Sequence, residues 1–102
     1  MYKIIRSEDK TQILEKPKAF LYHKNNEIEL VKLNLQQNDE VALHINPIKV
    51  VFYVIEGSGV LTIGTSSYTL QAGDMAEVHP DEERGWSNPN PESLKILVIK
   101  TL

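Results

Sequence analysis

The sequence contains no cysteine. This absence excludes a disulfide, a thiolate nucleophile and a thiolate metal site. No apolar run approaches the ~18 residues that a membrane-spanning helix needs, so we expect no association with a membrane. The net charge is -3, which gives no electrostatic reason to expect a nucleic-acid partner. The N-terminal stretch MYKIIRSEDKTQ lacks the apolar segment of a secretion signal, and we expect a cytoplasmic location.

The sequence also lacks any long segment with the 3.6-residue apolar period of a helix. Instead, turn residues interrupt short apolar stretches about every eight to twelve positions, a rhythm typical of all-β sandwiches and barrels. At 102 residues the chain is expected to form one domain, residues 1–102. The predicted strands cover residues 19–23, 27–35, 41–45, 50–56, 60–63, 68–70, 75–78 and 94–101.

Two of these predicted strands are apolar on both faces. In the strand 50–56, alternate residues point to opposite sides of the sheet, so Val51, Tyr53 and Ile55 share the face opposite Phe52. The strand 94–101 has the same composition. Because a solvated antiparallel sheet has a polar outer face, we expect this sheet to pack against a second subunit in a homodimer. The alternative is that residues 1–18 fold over that face.

Two stretches carry the spacing of a known pair of motifs. The first runs from Asn38 to Gly57, NDEVALHINPIKVVFYVIEG, and the second from Gly73 to Asn88, GDMAEVHPDEERGWSN. They resemble the paired motifs of the cupin family, in which glycines frame His-x-His and Glu in the first motif, and glycine, proline, histidine and asparagine mark the second. The resemblance covers about residues 28–100. It implies an all-β double-stranded β-helix, a jelly-roll-like barrel.

The resemblance also implies where a metal would bind, but the residues at those positions differ. In metal-binding cupins three histidines and a glutamate hold the ion. Here His44, Asn46, Val50 and Arg84 stand at the four positions. Valine has no donor atom, arginine is a permanent cation without a lone pair, and one histidine alone does not hold a transition metal. We therefore predict no metal and no other cofactor.

A substitute metal site could use donors outside the motif positions. His44, His79 and Glu77 form one conceivable set. However, Ala76 and Val78 look like the core-facing residues of their strand, which turns Glu77 and His79 away from His44. We expect both to be surface groups.

The inward-facing positions predict a pocket with an apolar floor and several polar groups, which suits a small organic ligand. Arg84 is its most informative member, because a buried guanidinium needs an acidic partner or an anionic ligand. The alternative is that Arg84 stays at the surface and pairs with Asp81, Glu82 or Glu83 in its own loop. The inward set is His44, Asn46, Val50, Phe52, Val54, Arg84 and Trp86; of these we predict His44, Asn46, Phe52, Arg84 and Trp86 to bind the ligand.

Several functions fit these residues, because the cupin family hosts many chemistries on one fold. The leading hypothesis is a module that binds a small anionic or sugar-like molecule without the usual metal. The second is a metal-independent isomerase, epimerase or lyase in which His44 acts as acid or base. The third is a metal-dependent enzyme with unusual ligands. The fourth is a dimer whose pocket is filled by its own side chains.

The framing residues of the two motifs are interpreted as structural. Asparagine and glycine tolerate the positive φ angles that turns require, so Asn38, Gly57 and Gly73 are expected in turns. Asn88 precedes Pro89 and is expected to bond to the local backbone. None of them is given a catalytic role.

Overall fold

The computed structural model describes residues 1–102. It contains ten strands and one short 3-10 helix, Ser7–Asp9, and it has no helix long and apolar enough to cross a bilayer. The predicted all-β fold is confirmed. The strands are β1 Thr11–Glu15, β2 Lys18–Lys24, β3 Ile28–Leu35, β4 Glu40–His44, β5 Lys49–Glu56, β6 Ser58–Ile63, β7 Ser66–Gln71, β8 Met75–Val78, β9 Arg84–Ser87 and β10 Leu94–Thr101.

The strands form two antiparallel sheets. The larger has the order β1-β2-β3-β10-β5-β8, and the smaller has the order β4-β9-β6-β7. Their inner faces enclose one apolar core, because alternate residues of each strand point inward. The buried apolar residues are Ala19, Val31, Leu35, Val50, Phe52, Val54, Leu61, Val78, Trp86, Leu94, Ile96 and Val98.

Two strands were not predicted from the sequence. β1 lies in a stretch of largely polar residues, and β9 begins directly after three acidic residues and contains Gly85. The glycine is nevertheless required inside the strand, because a Cβ at position 85 would lie 2.6 Å from the carbonyl oxygen of Val41. The missing side chain therefore makes room for the irregular part of β4, where the register shifts between Val41 and His44.

The framing residues of the motifs lie in turns, as predicted. Asn38 has a φ of 68° and Gly57 and Gly73 have φ angles of 80° and 94°. Asp81, which stands where the second motif has a glycine, also adopts a positive φ of 68°. The expected left-handed backbone is thus kept at this position although the residue has changed.

Asn88 is buried and fastens its loop to the rest of the barrel. Its Nδ2 donates to the carbonyl oxygens of Leu35 at 2.9 Å and of Glu92 at 2.8 Å. Its Oδ1 accepts from the backbone N–H of Asn90 at 3.0 Å. The predicted bonding to the local backbone is confirmed, and it extends to the end of β3.

The outer face of the larger sheet is covered on one half only. Residues of the N-terminal segment lie against β2 and β3: Ile5 shares a surface groove with Tyr22 and Leu97, and Lys10 lies over the ring of Phe20. The N-terminal segment therefore takes the covering role that the sequence offered as an alternative to dimerisation, on this half of the face.

The half formed by β5 and β8 remains open. Tyr53, Ile55 and Met75 are exposed there, with 37%, 39% and 60% of their surface accessible. Tyr53 stands opposite Leu97 on one side and Met75 on the other, so the open half is one continuous apolar area.

Candidate functional site

A cavity of about 170 Å³ lies between the two sheets. Ten of its fourteen lining residues are hydrophobic, and the four others are two cations, an imidazole and an amide. No carboxylate lines it. The lining residues are Ile13, Leu14, Ala19, Val31, Leu33, Val41, His44, Asn46, Val50, Phe52, Arg84, Trp86, Val98 and Lys100.

All five residues predicted to bind a ligand lie on the wall of this cavity: His44, Asn46, Phe52, Arg84 and Trp86. Val54, which was predicted to face the same pocket, does not line it. It is buried, but it lies about 7 Å farther along β5 than Phe52, because each strand residue advances about 3.3 Å. At that depth the core is closed, and Val54 pairs with Ile96 of β10.

Arg84 is the first residue of β9, and its side chain is turned inward, with 1% of its surface exposed. Its Nε donates to the carbonyl oxygen of Glu82 at 2.7 Å, and its Nη2 donates to the carbonyl oxygen of His79 at 2.9 Å. Two backbone oxygens of the preceding loop therefore fix the guanidinium, and Nη1 takes part in neither bond.

The alternative in which Arg84 stays at the surface in an ion pair is wrong. Asp81, Glu82 and Glu83 are exposed, whereas Arg84 is buried and forms no ion pair with any of them. Burial lowers the pKa of the Arg84 guanidinium below its ordinary value, and the negative charge of Glu82 opposes this shift. Arg84 remains a cation, since arginine is not deprotonated in proteins.

His44 stands at the end of β4, on the exposed rim of the cavity. Its Nδ1 lies 3.0 Å from the carbonyl oxygen of Ala42. A carbonyl oxygen only accepts hydrogen bonds, so in the neutral ring Nδ1 carries the proton and Nε2 carries the lone pair. His44 is therefore a rim residue with one free acceptor.

Asn46 follows β4 and links the two motifs. Its Oδ1 accepts from the backbone N–H of Ile48 at 3.2 Å, and its carbonyl oxygen accepts from the N–H of Asp81 at 3.0 Å. The side-chain carbonyl is thus used in the turn. The amide nitrogen is the group of Asn46 that remains for a ligand.

Phe52 and Trp86 form the aromatic wall. Their ring centroids are 5.5 Å apart and the rings are inclined by 80°, an edge-to-face arrangement that aromatic pairs prefer. The indole Nε1 of Trp86 is buried and has no hydrogen-bond partner. A buried N–H without an acceptor is costly, so this wall contains one unsatisfied donor.

Eight of the lining residues were absent from the predicted inward set: Ile13, Leu14, Ala19, Val31, Leu33, Val41, Val98 and Lys100. Lys100 continues the inward alternation of Ile96 and Val98 on β10, so its position was readable from the period of two; its Nζ lies 3.1 Å from the Glu29 carboxylate. Ile13 and Leu14 come from β1, where no alternation of apolar and polar residues indicated a strand.

The residues of the cavity do not fit the metal ion that the motif positions hold in metal-binding cupins. Val50 offers no donor atom, and Arg84 and Lys100 are cations. No three histidine or acidic side chains come together in the chain. Glu77 and His79 are exposed and 3.2 Å apart, outside the lining of the cavity, as the strand pattern predicted.

Solved structures share this architecture at low sequence identity. An RmlC-like cupin from Shewanella frigidimarina is 20% identical, with a TM-score of 0.88 over 99% of this chain and 91% of that one. The polyketide cyclase RemF from Streptomyces resistomycificus is 17% identical, with a TM-score of 0.86 over 99% and 80% of the two chains. A predicted oxalate decarboxylase from Thermotoga maritima is 18% identical, with a TM-score of 0.82 over 98% and 99%.

At these identities the solved structures establish the fold alone, and no curated protein matches the sequence significantly. The sequence profile described as "Cupin domain" matches residues 31–100, which is most of the chain and includes both motifs. Together with the two antiparallel sheets and the placement of the motif positions around one cavity, this match identifies the family: the chain belongs to the cupins.

Proposed function

We propose that the protein binds a small organic anion in the cavity between its sheets and that Arg84, not a metal ion, receives the negative charge. The observation that carries this proposal is the state of Arg84, a buried cation on the cavity wall without a carboxylate partner. An anion at this position would supply the missing counter-charge through charge-assisted hydrogen bonds.

The rest of the lining supports an anion over a cation. Arg84 and Lys100 both line the cavity, and no aspartate or glutamate does. Lys100 is already paired with Glu29, so its charge is partly neutralised, whereas Arg84 forms no ion pair and donates hydrogen bonds only to backbone carbonyls. The unbalanced positive charge of the cavity is therefore concentrated at Arg84.

The lining favours a largely apolar anion over a sugar-like molecule. A sugar presents hydroxyl groups in all directions, and each one buried without a partner costs free energy. Nine of the fourteen lining residues have no side-chain hydrogen-bonding group, and a tenth, Trp86, offers only its indole N–H. Of the anionic and sugar-like ligands named in the leading hypothesis, the lining of the cavity therefore favours an anionic one.

A metal-independent enzyme remains the alternative. His44 and its free Nε2 stand on the rim, where an acid or base could act. RemF is described as a polyketide cyclase and the Thermotoga protein as a predicted decarboxylase, so this fold is found in proteins described as enzymes. General acid–base chemistry normally needs a second positioned group, and the cavity offers only Lys100, which is engaged by Glu29.

The proposal is tested by calorimetric titration of the protein with short carboxylates and with their neutral amides. We expect carboxylates to bind and amides of the same shape to bind more weakly. Arg84→Gln should lower carboxylate affinity by about 1.5–3 kcal/mol, the usual contribution of a charge-assisted hydrogen bond. Arg84→Lys should restore it in part, because lysine keeps the charge and lacks the planar fork.

Circular dichroism and thermal unfolding of both variants establish that they fold. Equal affinity of carboxylate and amide, or a folded Arg84→Gln variant that binds carboxylates like the wild type, would refute the proposal. Native mass spectrometry of the protein as purified gives an independent view, because it detects an anion that remains bound.

We further propose that a second copy of the chain covers the open half of the outer face, formed by β5 and β8. The N-terminal segment already covers the other half, and the open half exposes Tyr53, Ile55 and Met75. β5 begins with Lys49 and ends with Glu56. Lys49 pairs with Glu77 and Glu56 with Lys95 within the chain, so a two-fold axis through the middle of β5 brings the exposed apolar side chains of two copies together without leaving these charges unpaired.

Sedimentation analysis at micromolar concentration tests this assembly. The wild type should sediment as a dimer and Tyr53→Lys as a monomer, because the new charge would be buried in the interface. Tyr68→Lys is the matched control, since Tyr68 is also an exposed tyrosine but lies on the other sheet, and it should remain dimeric. A monomeric wild type would exclude the dimer.

A further inference from the structure

The polar and apolar groups of the cavity are contributed by different parts of the fold. Three of its four polar side chains, His44, Asn46 and Arg84, come from β4, the turn after it and the start of β9. The opposite wall is formed by β1, β2 and β3, and every residue that these strands contribute is apolar. The cavity therefore has one polar end and one apolar end.

β1 supplies an unusual part of the apolar end. It is an edge strand that pairs with β2 only, and its register shifts between Gln12 and Leu14. The neighbouring residues Ile13 and Leu14 both line the cavity, although successive residues of a regular strand point to opposite faces. The irregular register thus brings two large apolar side chains to one cavity.

These two side chains are not part of the protein core. Ile13 is 47% exposed and Leu14 is 52% exposed, and neither belongs to the buried core cluster. Exposed apolar surface gains free energy when it is removed from water. An apolar group inside the cavity would cover part of the surface that the fold leaves exposed on both side chains.

The size of the cavity limits that apolar group. Its volume of about 170 Å³ is close to the roughly 150 Å³ of an apolar protein cavity known to hold a benzene molecule. Typical drug-sized ligands need roughly 300 Å³ or more. One six-membered ring or a branched chain of similar size therefore fits, and a fused ring system does not.

We infer that the ligand is a small monocarboxylate with one compact apolar body, about the size of a benzene ring, which packs against β1 while the carboxylate binds Arg84. This inference rests on the proposed anion binding and adds the class of the ligand and the residues that select it. Ile13 and Leu14 are the specificity-determining residues, and β1 closes the apolar end.

Three probes separate the two ends of the cavity. Benzoate has the charge and the ring, benzamide has the ring without the charge, and acetate has the charge without the ring. In calorimetric or chemical-shift titrations we expect benzoate to bind on the order of a hundredfold more tightly than acetate, from the burial of its ring. We expect it to bind at least about tenfold more tightly than benzamide, from the charge-assisted contact.

The double substitution Ile13→Ala and Leu14→Ala tests the role of β1. It should weaken benzoate binding by about tenfold through the loss of apolar contact, and it should leave acetate binding unchanged. Leu43→Ala is the matched control, because Leu43 is a similarly exposed leucine of a neighbouring edge strand and does not line the cavity. It should leave both affinities unchanged.

The outcomes distinguish a failure of this inference from a failure of the proposed anion binding on which it rests. If neither benzoate nor acetate binds, anion binding itself is wrong. If both bind with equal affinity, or if the β1 double variant binds benzoate like the wild type, anion binding stands and the inferred apolar body is wrong. Amide hydrogen exchange of β1 gives a second readout, since bound benzoate should slow exchange there and acetate should not.

Discussion

His44 and Arg84 stand directly opposite each other in the β4–β9 ladder, and both line the cavity. Directly opposed residues of antiparallel strands have Cβ atoms about 4.5–5.5 Å apart. The imidazole on the rim is therefore a close neighbour of the guanidinium at which we propose that an anion binds. Because the hydrogen bond to Ala42 places the proton on Nδ1, the neutral ring can turn a lone pair toward such an anion.

This relationship predicts that the His44 side chain affects anion binding. The bond to the Ala42 carbonyl oxygen leaves Nε2 of the neutral ring as a lone-pair acceptor, and a lone pair repels a carboxylate. His44→Gln, which offers an amide N–H at this position, should therefore bind benzoate at least as tightly as the wild type.

Calorimetric titrations of both proteins with benzoate make the comparison, with His23→Gln as a control because His23 does not line the cavity. Clearly weaker binding of benzoate by His44→Gln would show that the imidazole stabilises the bound anion.

Gly85 should tolerate no side chain. An alanine Cβ would lie 2.6 Å from the Val41 carbonyl oxygen and 3.1 Å from the Leu43 nitrogen, so β4 would have to move. We expect Gly85→Ala to lower the free energy of unfolding by about 1–3 kcal/mol, the usual cost of overpacking. Urea denaturation measures the change, and Ser87→Ala in the same strand should leave stability nearly unchanged.

Asn88 should be among the most sensitive polar positions of the chain. Asn88→Ala removes three hydrogen bonds and leaves the carbonyl oxygens of Leu35 and Glu92 without their donor. We expect a loss of about 2–4 kcal/mol in the free energy of unfolding. Asn26→Ala provides the comparison, because Asn26 is exposed in a turn. Similar urea midpoints for the two variants would contradict this role.

The wild-type protein should retain far less than one transition-metal ion per chain after dialysis against a mild chelator. The reason is the donor set, in which Val50 and Arg84 replace ligands. Elemental analysis measures the content. Asn46→His, Val50→Glu and Arg84→His together rebuild the motif and serve as the positive control, which should bind zinc or nickel. Stoichiometric metal in the wild type would overturn the prediction.

The fold could be predicted from the sequence wherever the alternation of apolar and polar residues and the positions of turn residues indicated the same strand. Eight strands were predicted with ends close to those observed, because inward apolar residues such as Val50 and Phe52 alternate with outward ones. β9 was not predicted because its glycine, Gly85, is required by the close approach of β4. This is a tertiary contact that no local sequence pattern indicates. β1 was hidden because all five of its residues are exposed, so no inward–outward alternation exists.

The residues of the site could be predicted where they lie within the two motifs. His44, Asn46, Phe52, Arg84 and Trp86 were expected at one pocket and do line one cavity. The sequence left open whether Arg84 pairs with the acids before it, because that depends on which way one residue at a strand end turns. Ile13 and Leu14 could not be assigned to the site, since their role follows from a register shift. The homodimer and the cytoplasmic location remain predictions.

The burial of Arg84 without an ion pair would link the free energy of unfolding of this protein to the concentration of the anion that it binds. The fold contains a buried cation that forms no ion pair and donates to two peptide carbonyls, and an anion that binds the native state stabilises it by about 2.7 kcal/mol at a hundred times its dissociation constant. The melting temperature would then rise with anion concentration. In a cell, where unfolded chains are degraded, the abundance of the protein would follow the supply of the molecule that it binds.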